Sequence, residues 1–192
     1  MRLLLAVLAV GCMPLLGCTP DQPVQAPATD APAVKLSESQ DAPMTLTYDR
    51  LDADRVPLAP TGLDADGAVK VPPVTDPSVV YVDWSAQMTN RPLVATAHVN
   101  TRDLSGAAVP GVFSNLKTAE VGDTVEVAER DGDIRTYRVT AVDSAPKDAF
   151  PVSVYDPGDR LVLVTCTGDI EVGDDGRRSF DANEIVTAER VS

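Results

Sequence analysis

The fold is decided by residues 124–142, which read TVEVAERDGDIRTYRVTAV. Apolar and polar side chains alternate in the two halves of this stretch, over 124–128 and 134–142, and such alternation is typical of a strand with one buried face. Between the halves, residues 129–133 contain an Asp-Gly pair, which favours a tight turn. The sequence therefore predicts a β-hairpin at this point.

Short apolar runs on both sides of this hairpin predict further strands, since turn-forming residues separate them. These runs are Met44–Tyr48, Val79–Trp84, Leu93–His98, Leu161–Cys166 and Ile185–Ala188. Only residues 110–119 have a helical pattern, because Pro110 suits a first helical turn and Val112, Phe113 and Leu116 share one face. Many short strands with little helix indicate an all-β barrel or sandwich.

The N-terminal region predicts export and a lipid anchor. Residues 3–16 are almost wholly apolar and follow Arg2, which is the pattern of a secretion signal too short for a membrane-spanning helix. The run ends in LLGC, which resembles a bacterial lipobox. We therefore expect a lipoprotein signal peptide over residues 1–17 and lipidation of Cys18, with an uncleaved anchor or ordinary secretion as the alternatives.

The residues after the signal divide into a tether and a domain. Residues 18–43 are rich in proline and small polar residues and have little to bury, so we expect a disordered tether. Residues 44–192 contain all the predicted strands and suffice for one domain with a substantial core. The expected location is extracytoplasmic, on the outer face of the cell membrane, with the lipid on Cys18 as the anchor.

Composition narrows the classes of partner. The 192 residues carry a formal net charge of −13 without a basic stripe, which excludes nucleic acid as a partner class. An anionic membrane surface would repel such a domain, so contact with the membrane is expected through the N-terminal lipid. Of the three cysteines, Cys12 would be removed with the signal peptide and the sulfur of Cys18 would carry the lipid, so a disulfide framework is not expected.

One thiol and one imidazole remain in the predicted domain, each at the end of a predicted strand. Cys166 ends the run LVLVTC, and His98 ends the run LVATAH. Covalent thiol chemistry needs a thiolate and a proton carrier, and the domain offers one candidate for each. Taken alone, a cysteine after an apolar strand is more often a packing residue, so on these residues that alternative stays open.

Several short motifs, taken in order, resemble the sortases, which are extracellular cysteine transpeptidases. Thr165-Cys166 at a strand end lies between an upstream histidine and downstream arginines. The class E/F sortases of actinobacteria have stretches similar to residues 62–73, 97–100, 111–116, 146–151 and 183–188. Over residues 44–190 the resemblance implies an eight-stranded β-barrel with one or two short helices. Ala97 and Asn100 depart from the glycine and aspartate usual in that family.

The resemblance also implies roles for the site residues. Cys166 would attack the threonine-glycine bond of a sorting signal similar to Leu-Pro-x-Thr-Gly and form a thioester, while His98 would protonate the leaving amine. Arg178, or Arg177, would donate hydrogen bonds to the oxyanion. An amine of a cell-wall precursor or a pilin would accept the acyl group. No cofactor or metal takes part in this chemistry.

Substrate binding is expected beside the cysteine. Thr165 would position Cys166 and belong to the substrate site, and Phe150, Pro151 and Val154 would form a groove wall. Two alternatives remain, namely an inactive lipid-anchored binding module with the same barrel, and a hydrolase without an efficient amine acceptor. The acidic run Asp169–Gly176 is interpreted as a solvated turn, with calcium binding as the alternative.

Overall fold

The computed structural model describes residues 44–84, 90–173, 176 and 178–191. The expected signal peptide, the expected tether, Cys18 and Arg177 lie outside the described residues. Within the described ranges, no helix is long and apolar enough to cross a membrane.

Ten strands are found in the described residues, and eight of them close a barrel. In chain order the strands are β1 (Met44–Tyr48), β2 (Ala53–Thr61), β3 (Val79–Val82), β4 (Leu93–Thr96), β5 (Asn100–Arg102), β6 (Ala108–Pro110), β7 (Thr124–Ala128), β8 (Ile134–Pro146), β9 (Arg160–Val172) and β10 (Arg178–Arg190). The barrel order is β1-β2-β3-β4-β9-β10-β8-β7, and β5 and β6 form a separate hairpin. The predicted all-β fold with an eight-stranded barrel is confirmed.

The predicted hairpin is confirmed as β7 and β8, which pair antiparallel with Val125 opposite Tyr137. The strand prediction for Leu161–Cys166 was wrong in its end point, because β9 continues six residues past the cysteine. This extension pairs with the first half of β10, which satisfies its backbone groups outside the barrel core.

The helix predicted over residues 110–119 was wrong. Pro110 ends β6, and only Leu116–Thr118 forms a helical turn, of the 3₁₀ type. The segment between them is a series of tight turns, in which the amide of Ser114 donates to the carbonyl of Gly111 and that of Leu116 to Phe113. Phe113 and Leu116 are still fully buried. The apolar spacing therefore arises because both side chains are buried, although the segment is not a helix.

The first half of β9, residues 161–165, is buried on both faces, which explains its continuous apolar sequence. Leu161 and Leu163 belong to the large cluster that fills the barrel. Val162 and Val164 belong to a second cluster on the outer face, together with Val154 from the 3₁₀ turn Val152–Tyr155. Because side chains alternate along a strand, Thr165 points inward and Cys166 points to the outer face.

Candidate active site

The two parallel strands β4 and β9 bring His98 and Cys166 to the same end of the barrel. Thr96 is the register partner of Val164, and each of the two functional candidates lies two residues beyond this pair. Paired residues of parallel strands lie side by side, so His98 and Cys166, which follow such a pair, lie on neighbouring segments of the backbone. Cys166 is a free, half-buried thiol, and His98 is half-buried as well.

Two threonine side chains form hydrogen bonds that link the backbone near His98 to the backbone near Cys166. The hydroxyl of Thr96 donates to the carbonyl of Val164 at 2.9 Å, and the hydroxyl of Thr165 donates to the carbonyl of Ala97 at 2.8 Å. Both side chains are buried, at 6% and 3% exposed. Thr165 therefore contacts the backbone beside His98 and does not line the groove on the outer face, where it was expected to belong to the substrate site.

His98 is held from two further directions. Its Nε2 lies 2.8 Å from the carbonyl oxygen of Pro72, and because a carbonyl only accepts, Nε2 carries the proton. The chain of Gly111 packs so closely that a Cβ there would overlap the carbonyl oxygen of His98. The amide of Gly111 also donates to Val99 at 2.9 Å. These contacts fix the position of the His98 backbone and place a proton on its Nε2.

A carboxylate lies close enough to His98 to interact with its charge. The pKa of Asp76 is lowered, chiefly by hydrogen bonds from the hydroxyl and the amide of Ser78 and to a smaller degree by the charge of His98. The segment from Pro72 to Ser78 thus supplies both a carbonyl and a negative charge on one side of the imidazole.

A groove of about 440 Å³ runs along the outer face of the barrel beside the cysteine. Its floor includes Thr96, Val164 and Asn183, of which Val164 precedes Cys166 by two residues on the same face. One wall comes from the stretch between β2 and β3, where the amides of Asp66 and Ala68 donate to the Asp64 carboxylate and hold a tight turn. An open, largely apolar groove of this kind suits an extended peptide.

The second wall contains some of the predicted groove residues. Phe150 lines the groove, together with Tyr155 and the exposed Val152. Val154 is buried beneath this wall in the outer cluster, and Pro151 precedes the 3₁₀ turn without lining the groove. Val152 was not predicted, because an exposed valine in a turn gives no sequence signal of its neighbours.

The structure does not bring Arg178 to the cysteine. Arg178 is the register partner of Val172, whereas the register partner of Cys166 is Asn183. The five residues from 178 to 183 span about 17 Å of extended strand. Arg177 lies outside the described residues. Asn183 was not predicted as a site residue, although it lines the groove.

A β-bulge separates Cys166 from the outer part of β9. Gly168 and Asp169 both lie opposite Asp181, and the carboxylate of Asp181 accepts a hydrogen bond from the amide of Asp169 at 2.9 Å. Gly168 has a φ of 86°, and a Cβ there would overlap the Asp181 carboxylate. Because one extra residue on β9 shifts the pairing, the facing residues could not be counted from the sequence.

The acidic run after the cysteine is not a turn along its whole length. Asp169–Val172 belongs to β9, and residues 174 and 175 lie outside the described residues. In the ranges that the structure describes, no group of three or more histidine, cysteine or acidic residues could hold a metal ion.

One acidic side chain points into the end of the barrel. Glu184 is opposite Thr165 and only 9% exposed. Burial raises its pKa, the charge of Lys117 lowers it, and the charge of Asp143 raises it further, with a net upward shift. It lies on the inner face of β10, away from the groove.

Comparisons with known proteins agree with this architecture. A family model described as a sortase domain matches residues 63–191. No curated protein matches the sequence. Among solved structures, sortase A from Corynebacterium diphtheriae is 19% identical with a TM-score of 0.50, over 80% of this chain and 62% of that one. Sortase C-1 from Actinomyces oris is 22% identical, with a TM-score of 0.50 over 78% and 73%. A sortase D5 transpeptidase from Clostridium perfringens is 18% identical, with a TM-score of 0.52 over 79% and 80%.

The solved structures and the family model support different conclusions. This chain spans 62% of the length of the C. diphtheriae structure, and identities of this size show a common fold. The family model covers well over half of the sequence, including β3 to β10 and both His98 and Cys166. The chain therefore belongs to the sortase family.

Proposed function

We propose that this protein is an extracytoplasmic cysteine transpeptidase that acts on sorting-signal peptides. The observation that carries the proposal is the placement of His98 and the free thiol Cys166, each two residues beyond the paired Thr96 and Val164 of parallel strands, beside a groove. Membership of the sortase family supports the reaction class. The motif order in the sequence supports a relation to the class E/F sortases of actinobacteria.

The proposed chemistry has two halves. The Cys166 thiolate attacks the carbonyl carbon of a threonine-glycine bond, the carbon-nitrogen bond breaks, and the leaving amine takes a proton from His98. The resulting thioester is attacked by an acceptor amine, which gives a proton to His98 as the carbon-sulfur bond breaks. Water in place of the amine makes the outcome hydrolysis.

The hydrogen bond of His98 fits the first half of this reaction. The general acid in this step is the imidazolium, in which both ring nitrogens carry protons, and the Pro72 carbonyl accepts the proton of Nε2 at 2.8 Å. For transfer to the leaving amine, the ring has to release the Pro72 carbonyl or share the proton between the two groups.

The groove supports an extended substrate of mixed polarity. Val69 and Val71 line one side, Phe150 and Tyr155 line the other, and the Lys147 and Asp148 side chains add polar groups. Such a groove accommodates the apolar and proline positions of a signal similar to Leu-Pro-x-Thr-Gly. The acceptor belongs to a cell-wall precursor or a pilin, and a lipid on Cys18 would hold the enzyme near both.

A product assay tests this proposal. The full-length chain in mild detergent is incubated with Leu-Pro-x-Thr-Gly peptides, with and without triglycine, and the products are separated by chromatography. Transfer to triglycine, absent in Cys166→Ala and His98→Ala, is the expected result. Free threonine-terminated peptide in both conditions would instead identify a hydrolase.

A second candidate is an inactive binding module with the sortase barrel. The observations that favour it are the distance of Arg178 from Cys166 and the engagement of His98 with Pro72. It predicts peptide binding to the groove without cleavage, measured by fluorescence anisotropy of a labelled peptide, with equal affinity for wild type and Cys166→Ala.

A further inference from the structure

Acyl transfer at Cys166 places negative charge on the substrate carbonyl oxygen, and a hydrogen-bond donor beside the thiol stabilises it. We propose that the side-chain amide of Asn183 is this donor and is a catalytic residue of the protein. The inference rests on the proposed function, because it assigns a role within the same acyl-transfer site.

The strand register places Asn183 next to the thiol. Asn183 on β10 is the antiparallel register partner of Cys166 on β9, and Ile185 and Val164 form the next pair on the same face. Directly opposite residues have Cβ atoms about 4.5–5.5 Å apart and point to the same side of a sheet. Ile185 and Val164 lie in the outer cluster, so Asn183 and Cys166 share the groove face.

The amide is available to a substrate. Asn183 lines the groove and is half-buried. Among the described residues, none accepts a hydrogen bond from its side chain. A carboxamide has two N–H donors and needs no change of protonation to use them. An oxygen attached to the carbon under attack by Cys166 would lie between the two side chains.

The backbone that carries Asn183 is held on both sides. Asn183 is paired with Cys166 on β9 and with Ala145 on β8. Its neighbours along β10, Glu184 and Ile185, are buried. A donor fixed in this way needs little rearrangement when charge develops, which is the condition for electrostatic catalysis.

Three other polar side chains in the segment from β8 to β10 are placed less favourably than Asn183. Lys147 lines the groove, but its ammonium donates to the hydroxyl of Ser179 at 2.7 Å, on the outer part of β10. The carboxylate of Asp181 accepts a hydrogen bond from the amide of Asp169 on the outer part of β9. Arg178 lies five residues along the strand from the cysteine register.

The test measures acylation and alkylation of the same thiol. Acylation by p-nitrophenyl acetate and by Leu-Pro-x-Thr-Gly peptides forms an oxyanion, whereas alkylation by iodoacetamide does not. The full-length wild type is compared with Asn183→Asp and Asn183→Ala, and the Cys166→Ala background is subtracted. Thr187→Ala is the matched control, because Thr187 is half-buried on the same face of β10 but four residues further from the cysteine.

We expect both Asn183 variants to lose about 10²-fold in the rate of acylation by peptide, and at least about tenfold with the activated ester, whose leaving group needs less assistance. Alkylation should stay within about twofold of wild type, and Thr187→Ala should match wild type in all three assays. Unchanged ester acylation in Asn183→Ala would overturn the inference, as would an equal loss in alkylation. If no peptide acylates the wild type while the ester loss persists, the proposed function fails and the role of Asn183 stands.

Discussion

The two threonine bonds between β4 and β9 predict how the site responds when its support is removed. Thr165→Val keeps the shape of the side chain but removes the hydroxyl that donates to the carbonyl of Ala97 at 2.8 Å. Thr96→Val removes the 2.9 Å bond to the carbonyl of Val164 in the same way. Both substitutions leave strand propensity intact, because valine is also β-branched.

The expected loss follows from the burial of these groups. A buried carbonyl that loses its partner costs about 1–3 kcal/mol, and the added methyl group offsets about 0.8 kcal/mol of this. The net destabilisation is about 1 kcal/mol for each variant, which lowers Tm by about 2–4 °C in a domain of this size. The double variant should lose about 2 kcal/mol, because the two bonds have different donors and acceptors.

The acylation rate of these variants should fall by more than their loss of folding stability alone would cause. The two hydrogen bonds hold His98 and Cys166 in position relative to each other. A misplacement of about 1 Å in a catalytic site lowers the reaction rate about 10²-fold. We therefore expect acylation of Thr165→Val to be at least about tenfold slower at 25 °C, where the variant is still folded. Iodoacetamide alkylation should change little, since it needs no histidine.

Thermal unfolding by circular dichroism and single-turnover acylation are the assays. Thr140→Val is the control, because its hydroxyl donates to the carbonyl of Thr187 at 3.3 Å in an exposed position; such surface changes stay within about 0.5 kcal/mol. If Thr165→Val equals Thr140→Val in both Tm and acylation rate, the reasoning about the support of the site is refuted.

Three further predictions concern the rest of the barrel. Gly111→Ala forces the chain away from the carbonyl of His98, so acylation should fall about 10²-fold. Hydrogen bonding to Arg50 lowers the pKa of Asp123 to about 2, so its stabilisation is present at neutral pH and is lost as pH falls from about 4 towards 2; in Asp123→Asn this part of the acid dependence should vanish. Burial raises the pKa of Glu184, so stability falls as pH rises from 4.5 through the raised value. Glu184→Gln should therefore raise Tm at pH 7 and much less at pH 4.

Each of these variants has a control in the same chain. Gly62→Ala adds a Cβ where nothing lies within 4 Å, and it should acylate at the wild-type rate. Asp54→Asn and Glu189→Gln replace exposed acidic residues and should keep the wild-type dependence of Tm on pH. A Gly111→Ala variant with normal acylation, an unchanged acid slope in Asp123→Asn, or equal Tm gains for Glu184→Gln at both pH values would contradict the respective argument.

Local patterns in the sequence predicted seven of the eight barrel strands, whereas β2 and the separate β5–β6 hairpin were not predicted. The β7–β8 hairpin depends on alternation and an Asp-Gly turn, which are properties of neighbouring residues. The same reasoning failed over residues 110–119, because Gly111 packs against the carbonyl of His98 and a helix there would break that long-range contact. Apolar spacing alone could not separate a buried turn from a helix.

The thiol and the imidazole could be proposed from the sequence because they are rare residues at strand ends. The residues that contact them in the folded protein could not be predicted from the sequence. The bond of His98 to Pro72 involves a backbone carbonyl 26 residues away, which leaves no trace in residue type. The arginines were expected from the family resemblance. The residue that faces Cys166 depends on the bulge at Gly168 and Asp169, and the strand register places Asn183 there.

Intact-mass spectrometry of the full-length chain, acid-quenched after incubation with a Leu-Pro-x-Thr-Gly peptide, tests the central claim most directly. The account predicts an adduct that carries the peptide through its threonine, joined to Cys166 as a hydroxylamine-sensitive thioester and absent in Cys166→Ala. A chain that is alkylated at Cys166 by iodoacetamide but gains no such mass with any sorting peptide would contradict it.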